Sequence, residues 1–275
     1  MEWSRFQFSQ SNLQDFVDCP RRFELRYIQK TIWPALQSEP VLEQERLLEQ
    51  GHRFHELVHQ YLLGIPVEVL QLRLLDLDLR VWWENFMQAN PLSGLPEIRY
   101  PEFSLSAPFA GSRLVAKYDL LVIDPGHKIV ILDWKTSQTK PSIAYLAKRI
   151  QSRLYPFLLV EAGTNLNHGK PIQPDQIEMI FWFATCPEEP WRFKYTTQRY
   201  QSDREELHRI ISEIIKLPEG RFMLTNHEKR CEYCVYRSLC NRGIQAGDWL
   251  TQEDEVGDEN IPLNVNFDQV AEIEF

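Results

Sequence analysis

The chain has 275 residues, of which 43% are hydrophobic, enough to bury a core in one large domain or two small ones. No apolar run is long enough to cross a membrane, and the N-terminus lacks a signal-peptide pattern, so we expect a cytoplasmic protein without membrane partners. The net charge of −9 is uneven, because nine acidic residues and no basic ones follow Arg242. The preceding part is neutral, so it would bind nucleic acid only through a local basic groove.

This charge pattern predicts one folded domain over residues 1–243 and an acidic, disordered tail over residues 244–275. The tail either competes intramolecularly for a basic groove or only keeps the protein in solution. The crowding of three of the five cysteines near the C-terminus favours a metal site in a reducing compartment over a disulfide framework.

The N-terminal part begins with helix-capping residues at Ser9, followed by apolar residues at helical spacing. Cys19-Pro20 comes next, and a lone cysteine here would usually be a small core residue. Arg21 and Arg22 follow it, and they either contact phosphate or belong to a solvated helix face.

Residues 41–63 predict a helix whose apolar stripe includes His55. A single histidine there is often a core residue. The segment from His55 to His59 also reads H-E-x-x-H, a spacing that can place two imidazoles on one zinc ion with Glu56 as general base. The longer form of that motif is absent, because Leu62 stands where its glycine would be.

Residues 68–90 predict a helix with its aromatic residues in the core, and residues 91–101 a linker rich in proline and glycine. A strand starts near Glu102 and leads into two β-rich runs, residues 114–123 and 129–135.

The turn between the two runs decides where their polar side chains lie. A three-residue turn pairs Asp124 with Lys128 and places Asp119 opposite Asp133, beside Lys135. A two-residue turn would send the two carboxylates to opposite faces. Converging carboxylates repel unless a proton or a hard cation lies between them, which indicates a divalent-metal site. The alternative is an ordinary ion pair at a solvated strand end.

Residues 142–163 predict a helix that carries Gln151 and Tyr155 on one face. Beyond it the pattern predicts strands over residues 177–185 and 191–196 and a helix over residues 204–217.

Four cysteines form a candidate thiolate set, with a fifth, Cys186, expected to be a buried thiol. The set combines one early residue with three late ones: Cys19, Cys231, Cys234 and Cys240. Four thiolates can hold either zinc or a [4Fe–4S] cluster, and either would join the two ends of the domain.

Together these residues resemble the PD-(D/E)XK nuclease superfamily. The likeness is strongest to RecB-type exonucleases with an iron–sulfur cluster, such as the AddB nuclease domain and the CRISPR-adaptation nucleases. It extends over residues 9–242 through six motifs in order: Ser-x-Ser-x-Leu before Cys19-Pro20, Gly51-x3-His55, Asp119, Ile131-Leu-Asp133-Trp-Lys135, Gln151-x3-Tyr155 and Cys231-x2-Cys234-x5-Cys240. One departure is Lys117, where many relatives have glycine.

The resemblance implies an α/β, restriction-endonuclease-like fold, in which a mixed sheet is flanked by helices and the four cysteines hold a [4Fe–4S] cluster. It implies catalysis by Asp119, Asp133 and Lys135 with Mg²⁺ or Mn²⁺. The metal ligands would be His55, Asp119, Asp133 and the Trp134 carbonyl, with Glu102 as an outer carboxylate. The residues expected at DNA are Gln151, Tyr155, Arg21, Arg22 and Lys117.

The function implied is metal-dependent cleavage of DNA, exonucleolytic on single strands, in repair, recombination or CRISPR adaptation. No Walker A sequence is present, so a helicase partner would supply any ATP-driven unwinding. Two alternatives stay open at this point: a non-catalytic DNA-binding or helicase-partner subunit with the same fold, and a zinc protease built on the H-E-x-x-H segment.

Overall fold

The computed structural model describes residues 2–32, 39–74 and 76–243, so the predicted acidic tail lies outside the described residues. The helices are α1 Gln10–Asp18, α2 Pro20–Phe23, α3 Glu39–Leu62, α4 Val67–Gln71, α5 Leu77–Ala89, α6 Ile143–Lys148, α7 Ile150–Ala162 and α8 Thr197–Lys216. The strands are β1 Gln7–Phe8, β2 Ile98–Phe109, β3 Ser112–Asp124, β4 Lys128–Lys135, β5 Ile177–Phe183 and β6 Trp191–Lys194.

The six strands form one mixed sheet in which β3 is central. Its full length pairs with β2 in the antiparallel sense, and its opposite edge pairs first with β1 and later with β4. The β4–β5 pair is parallel and the β5–β6 pair antiparallel. This sheet, covered by helices, confirms the predicted fold class.

Two apolar cores cover the two faces of the sheet. Helices α1, α7 and α8 pack on one face, where Tyr118, Leu121 and Ile131 are buried. Helices α3 and α5 pack on the other face, over Leu120 and Leu132 together with a group of large aromatic residues: Phe54, Trp82, Trp83, Phe86, Trp134 and Trp182. Burial on both faces explains why β3 and β4 are almost continuously apolar in sequence.

The alternation of side chains along β3 is interrupted at Asp119. Tyr118 and Leu121 face the same core, although they are three residues apart and a regular strand repeats every two. Strand β2 shifts at the opposing position, because Tyr100 and Phe103 also share that core. The register of the two strands is therefore the same before and after the interruption.

The hairpin between β3 and β4 has the predicted register, with Asp124 paired to Lys128. The predicted single helix over residues 142–163 is wrong in one respect, because it is broken into α6 and α7. Arg149 has an extended backbone at the break (φ −66°, ψ 147°). Among the described helices, none is both long and apolar enough to cross a membrane.

Asn167 holds the hairpin turn in place. Its side chain is 2% exposed, accepts a hydrogen bond from the Gly126 N–H (2.6 Å) and donates to the Lys170 carbonyl (3.1 Å). Gly126 has a φ of +83°, a conformation that glycine adopts without steric cost. The turn is therefore anchored by a side chain about 40 residues away in sequence.

We predict that Asn167→Ala lowers the free energy of unfolding by about 1–3 kcal/mol, because it leaves a backbone N–H without its acceptor. Urea denaturation measures this change. Asn165→Ala is the matched control, since Asn165 is exposed on the same short segment. Equal stability of the two variants would contradict the prediction.

Candidate metal centre and active site

Helix α3 brings His55 to the point where the alternation of β3 is interrupted. The glycine one turn earlier, Gly51, permits this approach, because a Cβ atom there would lie 2.7 Å from Thr136 Oγ1. Phe54 and Val58, on either side of the histidine, are fully buried in the aromatic core. The apolar face of α3 thus fixes the helix, while His55 stays 24% exposed at its margin.

Asp119 lies in the stretch of β3 between its contacts with β1 and β4. Its Oδ2 accepts a hydrogen bond from the Trp134 N–H (2.8 Å), and its Oδ1 lies 3.3 Å from His55 Nδ1. Burial alone would raise the pKa of the Asp119 carboxyl, but His55, the Trp134 N–H and Lys135 outweigh it and lower that pKa. Asp119 is therefore an anionic carboxylate at neutral pH.

Glu102 joins these two residues from β2. Among the described residues, His55, Glu102 and Asp119 form a group whose ligand atoms all lie within 4.8 Å of one another. One imidazole nitrogen and two carboxylates are donors that suit Mn²⁺ and Mg²⁺. The residues present thus fit a hard divalent cation.

Asp133 and Lys135 lie beside this group but are bonded to helix α7. Asp133 Oδ1 accepts a hydrogen bond from Gln151 Nε2 (2.6 Å), and Asp133 Oδ2 lies 2.9 Å from Lys135 Nζ. Lys135 Nζ also donates to Gln151 Oε1 (3.0 Å). Asp133 is 3% and Lys135 5% exposed, so the ion pair is buried. The side-chain amide of Gln151 is hydrogen-bonded to both of its members.

Tyr155 lies beneath these carboxylates rather than at a surface. It is 4% exposed, and its ring contacts that of Tyr118 with 4.9 Å between centroids. Burial, followed by the charges of Asp133 and Asp119, raises the pKa of the Tyr155 hydroxyl well above its usual value. In this structure Tyr155 therefore supports the site from within, and its contact with DNA stays a prediction.

The N-terminal helix α1 positions the start of α7. Gln14 Oε1 accepts a hydrogen bond from the Ile150 N–H (3.0 Å), which caps the helix that carries Gln151. Gln14 Nε2 donates to Asp18 Oδ1 (3.0 Å), and Asp18 Oδ2 lies 3.7 Å from Arg149 Nη1. Gln14 and Asp18 therefore hold the start of α7 in place, and with it the side-chain amide of Gln151.

The two arginines predicted to contact DNA, Arg21 and Arg22, form ion pairs with nearby carboxylates. Arg22 is 5% exposed and forms ion pairs with Asp15 and Asp18. Arg21 forms an ion pair with Glu24. Arg22 is thus buried against two carboxylates of α1, whereas Arg21 is partly exposed.

The first and last segments of the domain contact each other through polar groups. Arg230 Nη1 lies 2.7 Å from Asp18 Oδ1, and the Tyr236 hydroxyl donates to the Thr31 carbonyl (3.1 Å). Backbone hydrogen bonds add to these contacts, such as Arg21 N–H to the Met223 carbonyl (3.0 Å).

These contacts bring the four predicted cysteine ligands into one neighbourhood. Burial, followed by the nearby Cys234, Cys19 and Cys240 thiols, raises the pKa of the Cys231 thiol to about 11. The four sulfur atoms do not form a group within 4.8 Å among the described residues. The cysteines are thus close but not arranged as a metal cluster. Cys186, expected to be buried, is half-buried.

In the described part of the chain, His55, Glu56 and His59 of the H-E-x-x-H segment do not bring their ligand atoms together as a metal site would require. His55 faces Asp119, whereas Glu56 accepts a hydrogen bond from its helix neighbour Gln60 (3.0 Å). His59 belongs to none of the described groups of ligand atoms. The zinc-protease alternative therefore finds no support in the geometry.

Carboxylates, a histidine and a lysine thus lie together where one side of β3 is unpaired, and such a set could hold a divalent cation. Comparison with known families agrees: residues 7–241 match the PD-(D/E)XK nuclease superfamily. This chain belongs to that superfamily, whose members use divalent metals. No curated protein matches the sequence.

Two solved structures resemble the chain. One is described as the crystal structure of SSO0001, with 14% identity, 85% of each chain covered and a TM-score of 0.43. The other is described as a "putative exonuclease" from Eubacterium rectale, with 13% identity, 78% of this chain and 80% of that one covered, and a TM-score of 0.47. With TM-scores below 0.5, neither likeness adds to what the family match establishes.

Sequence reasoning assigned Glu102 only an outer position and missed the structural roles of Gln14, Asp15 and Asp18. The partners of these α1 residues are other elements: Gln14 contacts the Ile150 N–H, 136 residues further on. Polar residues on an amphipathic helix usually face solvent, so no local signal separates these from ordinary surface residues.

Asp18 provides a test of how the chain ends are held. It is 4% exposed and accepts contacts from Arg22, Arg149 and Arg230. We predict that Asp18→Asn lowers the free energy of unfolding by about 1–3 kcal/mol, because the buried Arg22 keeps only Asp15 as a counter-ion and the partly exposed Arg149 and Arg230 lose a carboxylate partner. Urea denaturation measures this.

The exposed Asp175 supplies the matched control, and Asp175→Asn is expected to change stability by less than about 0.5 kcal/mol. A similarly small effect for Asp18→Asn would show that the arginine cluster does not hold the ends together.

Proposed function

We propose that this protein is a metal-dependent deoxyribonuclease of the RecB type that acts as an exonuclease on single-stranded DNA. The observation that carries the metal-dependent chemistry is the group of His55, Glu102 and Asp119, adjacent to the bonded Asp133–Lys135 pair. The single-strand, exonuclease and RecB-type parts rest on the order and spacing of the sequence motifs.

The proposed ligands of one Mg²⁺ or Mn²⁺ ion are His55, Asp119, Asp133 and the Trp134 carbonyl. Such an ion, when bound, neutralises charge on a phosphodiester and makes a nearby water more acidic. The Trp134 N–H holds the Asp119 carboxylate, so this ligand is oriented before a cation arrives. His55 is the most exposed of the three side-chain ligands and lies at the open side of the site.

Lys135 is proposed to place its ammonium group where negative charge develops on the phosphate. Gln151 and Asp133 fix the ammonium, and the Phe181 ring lies 5.4 Å from it. A fixed positive charge in a buried site stabilises a transition state without reorganising at the moment of reaction. Gln151 therefore acts as a positioning residue for both members of the pair.

We predict that Asp119→Asn and Asp133→Asn each reduce metal-dependent DNA cleavage by about a hundred- to a thousandfold, because each removes an anionic ligand. The measurement uses end-labelled single- and double-stranded DNA with Mg²⁺ or Mn²⁺. Asp124→Asn, at the exposed end of β3, is the matched control and should retain activity.

His59→Ala should likewise retain cleavage, since the nuclease does not require His59. A wild-type protein that binds DNA but cleaves neither form with either metal would favour a non-catalytic subunit instead. Cleavage that survives both aspartate changes would overturn the proposed site.

We further propose that Cys19, Cys231, Cys234 and Cys240 hold a [4Fe–4S] cluster. The grouping of these thiols where the chain ends meet supports a shared ligand. In a tetrahedral zinc site, sulfur atoms 2.3 Å from one ion lie about 4 Å apart. In a [4Fe–4S] cluster each cysteine binds a different iron atom, so wider sulfur spacing is compatible with it.

We predict that the protein purified without oxygen is brown, with broad visible absorption that Cys19→Ser removes, because three thiolates hold the cluster poorly. Cys186→Ser is the matched control and should keep the colour. Visible spectroscopy and iron, sulfide and zinc analysis measure the outcome. Zinc without iron would contradict the cluster, and the absence of both metals would contradict the four-cysteine site.

A CRISPR-adaptation or helicase partner would place this activity in DNA processing. That role is proposed from the motif resemblance alone.

A further inference from the structure

The structure places the Lys117 side chain at the candidate metal centre. Lys117 Nζ lies 2.5 Å from Glu102 Oε2. Glu102 is one of the three residues whose ligand atoms converge. A fixed positive charge is therefore bonded to a group that could otherwise bind a cation.

The backbone brings the two residues together. Lys117 is opposite Ser104 in the β2–β3 ladder, so Glu102 is its diagonal neighbour, within reach of a long side chain. Glu102 has a φ of +52°, in a region that non-glycine residues rarely occupy. This conformation occurs where both strands shift their alternation, and the Glu102 carboxylate lies beside Asp119 and His55.

An ammonium ion and a divalent cation compete for the same carboxylate. A cation that took Glu102 as a ligand would have to displace Lys117 Nζ or accept it nearby. Lys117 is 31% and Glu102 20% exposed, so water screens this pair only in part. Removing the lysine charge should therefore strengthen the binding of a divalent cation.

We propose that Lys117 is a tethered counter-cation that competes with the divalent ion for Glu102 and weakens the affinity of the centre for it. In the wild-type chain, Lys117 neutralises Glu102, and the cation is held by His55 and the aspartates. When Lys117 is uncharged, Glu102 becomes an additional ligand. This inference rests on the proposed function, because it concerns the same metal centre.

The test measures Mn²⁺ binding to the full-length protein without DNA, from the electron paramagnetic resonance signal of free Mn²⁺. Lys117→Met should bind Mn²⁺ about tenfold more tightly than wild type, since it removes one positive charge close to the cation. Lys117→Arg keeps the charge and should bind like wild type. Lys128→Met is the matched control, because Lys128 forms a similar strand ion pair with Glu178 (2.7 Å).

A double-mutant cycle shows whether the effect acts through Glu102. If the effect acts through Glu102, Glu102→Gln/Lys117→Met should bind Mn²⁺ within about twofold of the Glu102→Gln single variant. If Lys117→Met still tightens binding about tenfold in the Glu102→Gln background, Lys117 acts only as a general charge and the inference is overturned. Lys117→Met with wild-type affinity would overturn it as well.

Asp119→Asn separates this inference from the proposed function. Mn²⁺ binding that does not depend on Asp119 in either background overturns the metal centre itself. Asp119-dependent binding that is unaffected by Lys117→Met overturns only the role of Lys117. Thermal unfolding of each variant checks that the changes in affinity do not reflect loss of the fold.

Discussion

The site depends on a short stretch of β3 that has no pairing partner on one side. On that side β1 and β4 are the neighbouring strands, and neither pairs with this stretch. Strand β1 pairs with Arg113 and Leu114, and β4 begins to pair only at Leu120. Between these points the sheet is open, so polar side chains can occupy it without breaking a ladder or entering an apolar core. Asp119 lies at this opening, where α3 contributes from one face of the sheet and α7 from the other.

Much of this arrangement could be predicted from sequence because the responsible signals are local. The three-residue hairpin turn sets the pairing of Asp124 with Lys128, and the run of β-forming residues identifies both strands. The interruption at Asp119 could not be predicted in this way. It results from matched shifts in β2 and β3, and strict alternation along one strand would not reveal it. The same is true of Glu102, whose role depends on the opposing strand.

Two separate features bear on the contact between the first and last segments of the domain. Sequence reasoning attributed it to four cysteines, since thiolates with a metal are a recognisable pattern. The structure adds an arginine–carboxylate contact between the two segments, from Arg230 to Asp18, beside the contacts of Asp15 and Asp18 with Arg22 inside the first segment. A residue such as Arg22 looks like a DNA contact in sequence, because a basic side chain carries no mark of its partner. Burial beside an aspartate decides between the two roles.

The buried Asp133–Lys135 pair requires α7 to hold Gln151 within hydrogen-bonding distance of both residues. A buried ammonium requires a counter-ion, and here it uses an oxygen of the same aspartate that is proposed as a ligand. The Gln151 amide donates to Asp133 and accepts from Lys135, so both charges keep a polar partner if the carboxylate turns toward a cation. Without this amide, coordination by Asp133 would leave Lys135 buried with less compensation. Gln14, on helix α1, accepts a hydrogen bond from the first residue of α7 and so fixes the position of Gln151. In this way Gln14 affects the chemistry of the site, although it contacts neither Asp133 nor Lys135 in the contacts described above.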